Sequence, residues 1–504
     1  MNSWIGIAPL LTIALGAMLT MLAEAFGKSK VHVEGGEASI DPGAGRQAEM
    51  GLLTAVILFA AAVVSLGLMV AGPKYVLQQA LAPYFIADGF TQFMSFVVCV
   101  AGGIASLVAG GYLTEHRIDR SEFFVLLQLS TVGALALVAA GDLLSLFVAL
   151  ETMSLGVYCL VGLRRTPRAL EAALKYFLLG SFAAAVLLFG GALLYGATGH
   201  TDLAGIGQAI SHLHDGSRAG LVLVGAACVL AGLAFKVAAV PFHAWTPDAY
   251  EGAVTPATGF MAAVVKTAAF AVLLRVLLVA LGDEGLASWG TGWPPLLAVV
   301  AVATMSVANL VAGRQSSVKR MLAYSSIAHA GYALVGVVAM LRSADGQASV
   351  MMYLFVYSVS TLGAFGALAL CGSYGREAVS YQDLAGLGKR HPAIALAFSL
   401  FLLSLAGIPP TAGFFGKLFV FRAAMESDLT LLVVIALINS VVGAYYYLRV
   451  LVYMYMREPE PEAPVAVPMR SSMIGVALVI AAVFILALGL LPNGALGALT
   501  KVAL

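Results

Sequence analysis

The chain has 504 residues, of which 61% are hydrophobic and only 11% are charged, and its formal net charge is +1. Soluble domains carry roughly 45–50% apolar and about 25% charged residues, so this composition excludes an ordinary soluble globular protein. The sequence contains neither a Rossmann nor a P-loop glycine pattern, and the balanced charge gives no reason to expect a nucleic-acid partner.

Apolar runs long enough to cross a membrane recur along the whole chain. A helix of about 20 residues spans a ~30 Å hydrocarbon core, and we therefore predict an all-α polytopic membrane protein with about fourteen transmembrane helices. In chain order, helices 1 to 14 are predicted at residues 4–26, 50–72, 88–112, 121–140, 142–162, 168–196, 219–247, 254–281, 293–313, 319–341, 347–373, 392–425, 429–456 and 472–491. The first run has no basic n-region and no AxA-like cleavage site, so we expect a retained helix.

The helices fall into four parts. Residues 1–119 form an N-terminal segment of three helices with a loop at 27–49, and residues 120–285 form a first five-helix unit. Residues 286–456 form a second five-helix unit, and residues 457–504 contain a loop and the last helix. We expect both loops to have no fold of their own, because they are rich in Gly, Pro and acidic residues.

The cations are distributed unequally between the two sides of the membrane. Sixteen Lys and Arg residues follow odd-numbered helices, and three follow even-numbered helices. Because loops rich in Lys and Arg stay in the cytoplasm, we predict that both termini lie on the periplasmic side of a bacterial inner membrane.

Several ionisable residues lie inside the predicted helices. An insertion scale charges ~2.5–3.5 kcal/mol for a lysine at mid-helix, so such residues need a reason to be there. Ion pairing between packed helices would explain one of them, whereas the whole set favours a solvated ion path. The set comprises Glu151, Lys175, Lys236, Lys266, His329 and Lys417.

The depths of Glu151 and Lys175 predict that these two residues form a pair. Glu151 lies about nine residues into helix 5, or ~14 Å deep, and Lys175 lies about eight residues into helix 6, or ~12 Å deep from the other side. A carboxylate near a buried lysine stabilises its charged form, and the two groups would titrate jointly.

Helices 7 and 12 are predicted to be broken. Pro241 follows Lys236 by five residues, and Pro409 and Pro410 precede Lys417 by seven or eight residues. Proline interrupts a helix, and an irregular backbone at membrane depth is tolerated only inside protein or beside a water-filled cavity. His243 lies in the first break, where it either satisfies freed carbonyls or relays protons.

The two five-helix units, helices 4–8 and 9–13, resemble each other in arrangement. In each unit the fourth helix is the broken one and carries a lysine, and the second helix carries an ionisable group, Glu151 or His329. Tandem units with an odd number of helices have opposite orientations in the membrane, so we predict the inverted repeats found in secondary transporters.

Five segments between about residues 120 and 455 resemble the antiporter-like membrane subunits of respiratory complex I. They are SLFVALETMSLGVYCLVGLRR, EAALKYFLLGSFAAAVLLFG, LAFKVAAVPFHAWTPDAYEGAVTPATGFMAAVVKTAAF, KRMLAYSSIAHAGYALVG and SLAGIPPTAGFFGKLFVF. Among these subunits the resemblance is greatest to the subunit N type, because subunit M has a glutamate at the position of Lys417 and subunit L has a long lateral helix after helix 14.

The resemblance implies a role for each buried group. Glu151 would modulate Lys236, and Lys175 would belong to the same network. Lys266 would be the central proton carrier, His329 a bridging group, and Lys417 the terminal lysine nearest the outer exit.

The resemblance also implies a proton-translocating subunit of an NADH:quinone oxidoreductase. This chain would hold no redox centre, while NADH, FMN, iron–sulfur clusters and quinone would be used by other subunits. Its partners would be neighbouring antiporter-like and small helical membrane subunits, together with lipid. The alternative is a subunit of a multi-subunit cation/proton antiporter or of a membrane-bound hydrogenase.

Overall fold

A computed structural model describes residues 4–26, 31–34, 37–40, 46–72, 81–82, 84–212, 216–372, 375–460 and 466–504. Within this part of the chain, thirteen helices are long and apolar enough to cross a membrane. Two shorter helices, Pro392–Ala406 and Ala412–Glu426, follow one another at the position of predicted helix 12. The prediction of an all-α polytopic membrane protein is confirmed.

The helices keep their predicted numbers, and the two broken ones are divided into halves a and b. Their bounds are 1 (Trp4–Phe26), 2 (Arg46–Ala71), 3 (Gly89–Glu115), 4 (Glu122–Ala139), 5 (Leu143–Val161), 6 (Pro167–Thr198), 7a (Gly216–Val237), 7b (Trp245–Gly252), 8 (Thr255–Ala280), 9 (Trp293–Ala312), 10 (Val318–Ala339), 11 (Gly346–Leu370), 12a (Pro392–Ala406), 12b (Ala412–Glu426), 13 (Thr430–Met456) and 14 (Ser472–Leu490). Four short helices, Leu203–Ser211, Gln382–Leu384, Leu387–Arg390 and Pro492–Thr500, lie between or after them.

Polar residues before the apolar runs determine where many of the helices begin. The side chains of Asp88, Asp142, Thr166, Ser317 and Ser471 accept hydrogen bonds from backbone N–H groups in the first turns of helices 3, 5, 6, 10 and 14. These caps satisfy donors that have no partner within the helix. The agreement between predicted and observed boundaries at these helices follows from this capping chemistry.

Helices 3, 8, 10 and 11 form the centre of the bundle and are almost completely buried. Helices 2, 6 and 14 bury only about a third of their residues, and their exposed side chains are mostly Leu, Val and Phe. This arrangement is typical of a membrane protein, because the peripheral helices present apolar side chains to lipid. The inverted relation between the two five-helix units stays a prediction.

The first of the two loops that were predicted to have no fold of their own differs from that prediction. In the first, Val31–Glu34 and Glu37–Ile40 pair as an antiparallel two-stranded sheet, with Val31 opposite Ile40. Helix 2 begins at Arg46, four residues before its predicted start. In the second loop, the described residues include Ala466 and Met469, whose backbone N–H groups bond to Asp383 and Leu370. Paired backbone groups give the first loop its hairpin, and the buried Ala466 and Met469 attach the end of the second loop to the bundle.

We predict that Gly133→Ala destabilises the contact between helices 4 and 5. A Cβ at Gly133 would lie 2.3 Å from the backbone nitrogen of Met153, so the two helices must separate, at a cost of about 1–3 kcal/mol. Thermal unfolding in detergent measures this loss. Gly475→Ala on helix 14 is the matched control, since nothing lies within 4 Å of its added Cβ. Equal unfolding temperatures for both variants would contradict the close packing.

Candidate functional site

Both predicted breaks are present, and each frees backbone carbonyls inside the protein. Helix 7a ends at Val237, where Ala238 takes the left-handed conformation with φ 61°, and helix 12a ends before Gly407, with φ 85°. The indole Nε1 of Trp245 donates to the carbonyl of Phe235 at 3.0 Å. The breaks therefore place turning backbone, with carbonyl groups that have left the regular helical pattern, next to the lysines, and polar side chains donate hydrogen bonds to these carbonyls.

Lys236 lies at the end of helix 7a and is almost fully buried. Its Nζ donates to Ser154 Oγ at 2.7 Å and to Tyr158 Oη at 3.3 Å, both on helix 5. The rings of Tyr158, Tyr176 and Phe235 have their centroids 5.5–5.9 Å from the ammonium. Hydroxyl and ring acceptors thus replace part of the hydration that this ammonium loses on burial.

Glu151 lies one helical turn before Ser154 on helix 5. Its side chain is half-buried, and Lys236 is the charged group that acts on it electrostatically. Among the described residues no hydrogen-bond donor contacts its buried Oε1. The carboxylate is therefore close enough to Lys236 to respond to its charge and is not held by a hydrogen bond at that oxygen.

The predicted pairing of Glu151 with Lys175 is wrong. Lys175 lies on the exposed side of helix 6, where its Nζ pairs with Glu171 at 2.7 Å and with Asp248 at 3.2 Å. The buried stripe of helix 6 includes Ala172 and Tyr176, and Lys175 lies beside that stripe. Equal depth placed the two residues at one level of the membrane, but it did not determine which side of helix 6 carries the lysine.

Lys266 lies in the centre of the bundle on helix 8, immediately after a π-helical turn at Met261–Val265. Its Nζ donates to both the carbonyl and the hydroxyl oxygen of Ser326 on helix 10, at 2.5 Å each. The hydroxyl of Tyr357 donates to the same Ser326 Oγ at 2.7 Å. π-Helical turns are rare in proteins, and those that occur are often found at functional sites. Here such a turn directly precedes the buried lysine.

His329 lies one turn after Ser326 on helix 10. Its Nδ1 is 2.6 Å from the hydroxyl of Tyr353, and its Nε2 is 3.1 Å from the hydroxyl of Tyr447. Tyr357, whose hydroxyl donates to Ser326, packs its ring against the imidazole, with the two centroids 5.0 Å apart. Both ring nitrogens thus have a hydroxyl that can exchange donor and acceptor roles.

Lys417 lies on helix 12b beside the second break. Its Nζ donates to the freed carbonyl of Ala406 at 2.9 Å and to Ser440 Oγ at 3.0 Å. The ammonium also lies 5.0 Å from the ring centroid of Tyr332. The left-handed turn at Gly407 brings this carbonyl to the lysine, and a Cβ there would meet Lys417 Cδ at 3.0 Å.

The structure brings five of the six predicted residues together in two neighbourhoods, and Lys175 lies outside both. Lys266, His329 and Lys417 are joined through shared serine and tyrosine contacts, since the rings of His329 and Tyr332 have centroids 5.7 Å apart. Lys236 and Glu151 form the other neighbourhood. Between the two, Tyr176 stacks on Trp245 at 4.1 Å, and Trp245 contacts Tyr250 edge-on. His243 lies in the first break, partly buried, and its Nδ1 has no hydrogen-bond partner among the described residues.

Sequence reasoning missed the uncharged polar groups around these residues. Asn309 donates to Tyr332 Oη at 3.0 Å and to Asn439 Oδ1 at 3.3 Å, and Tyr446 donates to Asn309 Oδ1 at 3.0 Å. Asparagine in an apolar membrane helix is itself costly, and this signal could have identified Asn309 and Asn439. The partly buried Glu377 was missed because it lies in a loop, where an acidic residue carries no signal.

Residues 140–443 match the family model described as NADH:quinone oxidoreductase/Mrp antiporter, TM. The NADH-quinone oxidoreductase subunit N 1 of Sorangium cellulosum is 62% identical over 509 aligned positions, covering 100% of this chain and 99% of the relative. The chain belongs to the subunit N family.

Solved structures agree with this membership of the subunit N family. A chain in the structure of respiratory complex I from Thermus thermophilus with bound aureothin is 34% identical, with a TM-score of 0.77, and the match covers 97% of this chain and 99% of that one. A chain of the Mrp complex from Dietzia matches with a TM-score of 0.84 over 99% and 97% of the two chains, at 24% identity. The second similarity shows a shared fold.

We predict that Ser154→Ala destabilises the protein by about 1–3 kcal/mol, because the buried ammonium of Lys236 loses its shortest hydrogen bond. Thermal unfolding in detergent measures the change. Ser130→Ala on helix 4 is the matched control, since this buried hydroxyl has no hydrogen-bond partner among the described residues. Adding Lys236→Met to Ser154→Ala should restore stability, because it removes the charge that needed the acceptor. A loss no larger than that of Ser130→Ala would exclude the assigned contact.

Proposed function

We propose that this chain is a proton-translocating membrane subunit of an NADH:quinone oxidoreductase. The observation that carries the proposal is the set of three lysines in helices 7a, 8 and 12b, namely Lys236, Lys266 and Lys417, with 2%, 3% and 6% exposure. Among the described residues none of the three has a carboxylate oxygen within 4 Å, and hydroxyls, carbonyls and rings surround them instead. A structural ion pair would give each lysine a fixed counter-ion, whereas these surroundings suit a lysine whose ammonium loses a proton and whose neutral amine takes one up again.

In the proposed sequence of events, Glu151 acts first. Redox chemistry in other subunits changes the charge or position of this carboxylate, which alters the electrostatic stabilisation of Lys236. The proton released by Lys236 passes through water along the central helices to Lys266. The hydroxyls around His329 then carry it towards Lys417, the last lysine before the outer side.

We assign Lys175 an indirect role, in which it acts on helix 7b through Asp248. Its contact with Asp248 links helix 6 to the half-helix that follows the break, while Arg320 of helix 10 pairs with the same Asp248 at 3.0 Å. A change in charge at Lys175 would therefore reach helix 7b, whose Trp245 caps the helix that carries Lys236.

The redox cofactors belong to other subunits in this proposal. NADH, FMN, iron–sulfur clusters and quinone are handled elsewhere in the complex, and neighbouring antiporter-like and small helical membrane subunits, with lipid, surround this chain. In the part of the chain that the structure describes, no group of three or more His, Cys, Asp or Glu side chains could hold a metal ion. The membrane is the bacterial inner membrane, with both termini on the periplasmic side and the cation-rich loops in the cytoplasm.

A second candidate is a subunit of a cation/proton antiporter or of a membrane-bound hydrogenase. The description of the matching family model includes the Mrp antiporter, and the buried lysines would serve there equally well. The full-length relative at 62% identity favours the oxidoreductase. Mass spectrometry of proteins that copurify in mild detergent separates the two, since flavin and iron–sulfur subunits support the first and small antiporter subunits alone support the second.

We predict that Lys236→Ala and Lys266→Ala leave the complex assembled but reduce proton pumping and coupled quinone reduction by roughly an order of magnitude or more. The reason is that each variant removes a positioned proton-transfer group from the path. Inverted membrane vesicles supplied with NADH give both rates, and the amount of assembled complex is measured in parallel.

Lys389→Ala is the matched control. Lys389 is an exposed lysine on the short helix Leu387–Arg390 and pairs with Glu458 at 3.3 Å, and its removal changes the same formal charge outside the path. Its pumping and quinone reduction should equal those of the unmodified complex. Full coupled activity in both Lys236→Ala and Lys266→Ala would refute the path as drawn.

A further inference from the structure

Glu377, in the loop between helices 11 and 12a, collects contacts from four other parts of the chain. Its Oε1 accepts from Tyr112 Oη at 2.5 Å and from Thr255 Oγ1 at 2.8 Å, and its Oε2 accepts from Lys319 Nζ at 3.1 Å. Arg164 lies 3.6 Å from Oε1 and also bonds to Tyr112. One carboxylate thus joins the end of helix 3, the end of helix 5, and the beginnings of helices 8 and 10.

The bonds to Thr255 and Lys319 connect the first turns of two central helices. Thr255 is the first residue of helix 8 and offers both its hydroxyl and its backbone N–H to Glu377. Lys319 is the second residue of helix 10, and its Nζ donates in addition to the carbonyl of Ala253, two residues before helix 8, at 2.6 Å. Glu377 and Lys319 together hold the beginnings of helices 8 and 10 in a fixed register.

The same two helices meet again at the proton-carrying lysine. Lys266 lies eleven residues after Thr255 on helix 8, or ~16 Å along its axis, and Ser326 lies seven residues after Lys319 on helix 10, or ~10 Å. Lys266 Nζ donates to two oxygens of the same residue, Ser326, at 2.5 Å each, so a sliding of one helix against the other shifts both acceptors together relative to the ammonium. The relative position of helices 8 and 10, which is set at their first turns, therefore determines how Lys266 lies against Ser326.

We propose that Glu377 is a positioning residue for Lys266: by bridging Thr255 and Lys319 it locks helices 8 and 10 in the register that seats Lys266 on Ser326. This inference rests on the proposed function, since it assigns to Glu377 an effect on proton transfer at Lys266. Glu377 itself carries no proton along the path.

The charges around Glu377 keep its carboxylate ionised, so its contacts with helices 8 and 10 are permanent. Burial alone would raise the pKa of Glu377, but the charges of Lys319 and Arg164 outweigh it and, with the Tyr112 and Thr255 hydroxyls, hold the pKa at about 2. The carboxylate is therefore ionised throughout the physiological range. Lys319 is 1% exposed and depends on this counter-ion, so removing the charge of Glu377 leaves a buried ammonium without its partner.

The test uses the intact complex in membrane vesicles and a double-mutant cycle. Glu377→Gln removes the charge, Thr255→Val removes one hydroxyl donor while keeping the ion pair, and Ser326→Ala alters the seat of Lys266 directly. Glu377→Asp is the conservative variant, and Glu122→Gln, an exposed acidic residue in the first turn of helix 4, is the matched control. Proton pumping per NADH and its pH profile are measured for each variant at equal amounts of assembled complex.

We expect Glu377→Gln to lower pumping by roughly 2- to 30-fold, the range of coupling changes for residues that act through a network, and to shift the pH profile in the same direction as Ser326→Ala. The double variant Glu377→Gln/Ser326→Ala should be no worse than the poorer single variant, because both act on one seat. Glu377→Asp should recover part of the pumping, and Glu122→Gln should change nothing.

Multiplied losses in the double variant, or an unchanged pH profile in Glu377→Gln, would overturn the proposal. If the complex with Glu377→Gln does not assemble, Thr255→Val takes the place of that variant. The same double-mutant cycle is then measured with Thr255→Val and Ser326→Ala. Normal pumping in Glu377→Gln together with lost pumping in Lys266→Ala would reject the role of Glu377 and leave the proposed function standing. Normal pumping in both would reject the proposed function as well.

Discussion

A lysine inside a membrane protein keeps its charge only if the protein replaces the water that it has lost, and this requirement explains much of the structure. Inserting one mid-helix lysine into a membrane costs ~2.5–3.5 kcal/mol, and Lys236, Lys266 and Lys417 each need interactions that offset this cost. At each place the acceptors are weaker than a carboxylate. Such an environment stabilises the ammonium enough for the protein to fold and leaves it sensitive to a charge nearby.

The backbone contributes to this environment in different ways at the two breaks. At the second break the carbonyl of Ala406, freed by the turn at Gly407, accepts directly from Lys417. At the first break the carbonyl of Phe235 is taken by Trp245, and Lys236 turns instead to hydroxyls of helix 5. The first lysine therefore contacts the helix that carries Glu151, and in the proposed path this contact would transmit a change at Glu151 to Lys236.

The sequence predicted the helices well because the forces that place them are local. Apolar length, cap residues such as Asp88 and Ser317, and prolines at the breaks act within a few residues of where they stand. The buried lysines could also be predicted, because a charged residue within an apolar stretch can be recognised from the sequence alone. It gave the wrong partner for Lys175 because depth along a helix says nothing about the direction in which a side chain points. Contacts such as Glu377 with Lys319 join residues far apart in sequence and have no local signature.

Packed aromatic rings lie between Lys236 and Lys266 within this chain, and proton transfer between the two lysines requires water to complete the connection. The most direct measurement is an electron cryomicroscopy map of the native complex in lipid, at a resolution that shows ordered water. If the proposed path exists, the map will show water density from the hydroxyls beside Lys236 to Ser326 and Lys266, and onward past His329 to Lys417. A dry, fully packed interior between Lys236 and Lys266 in every state of the working complex would contradict it.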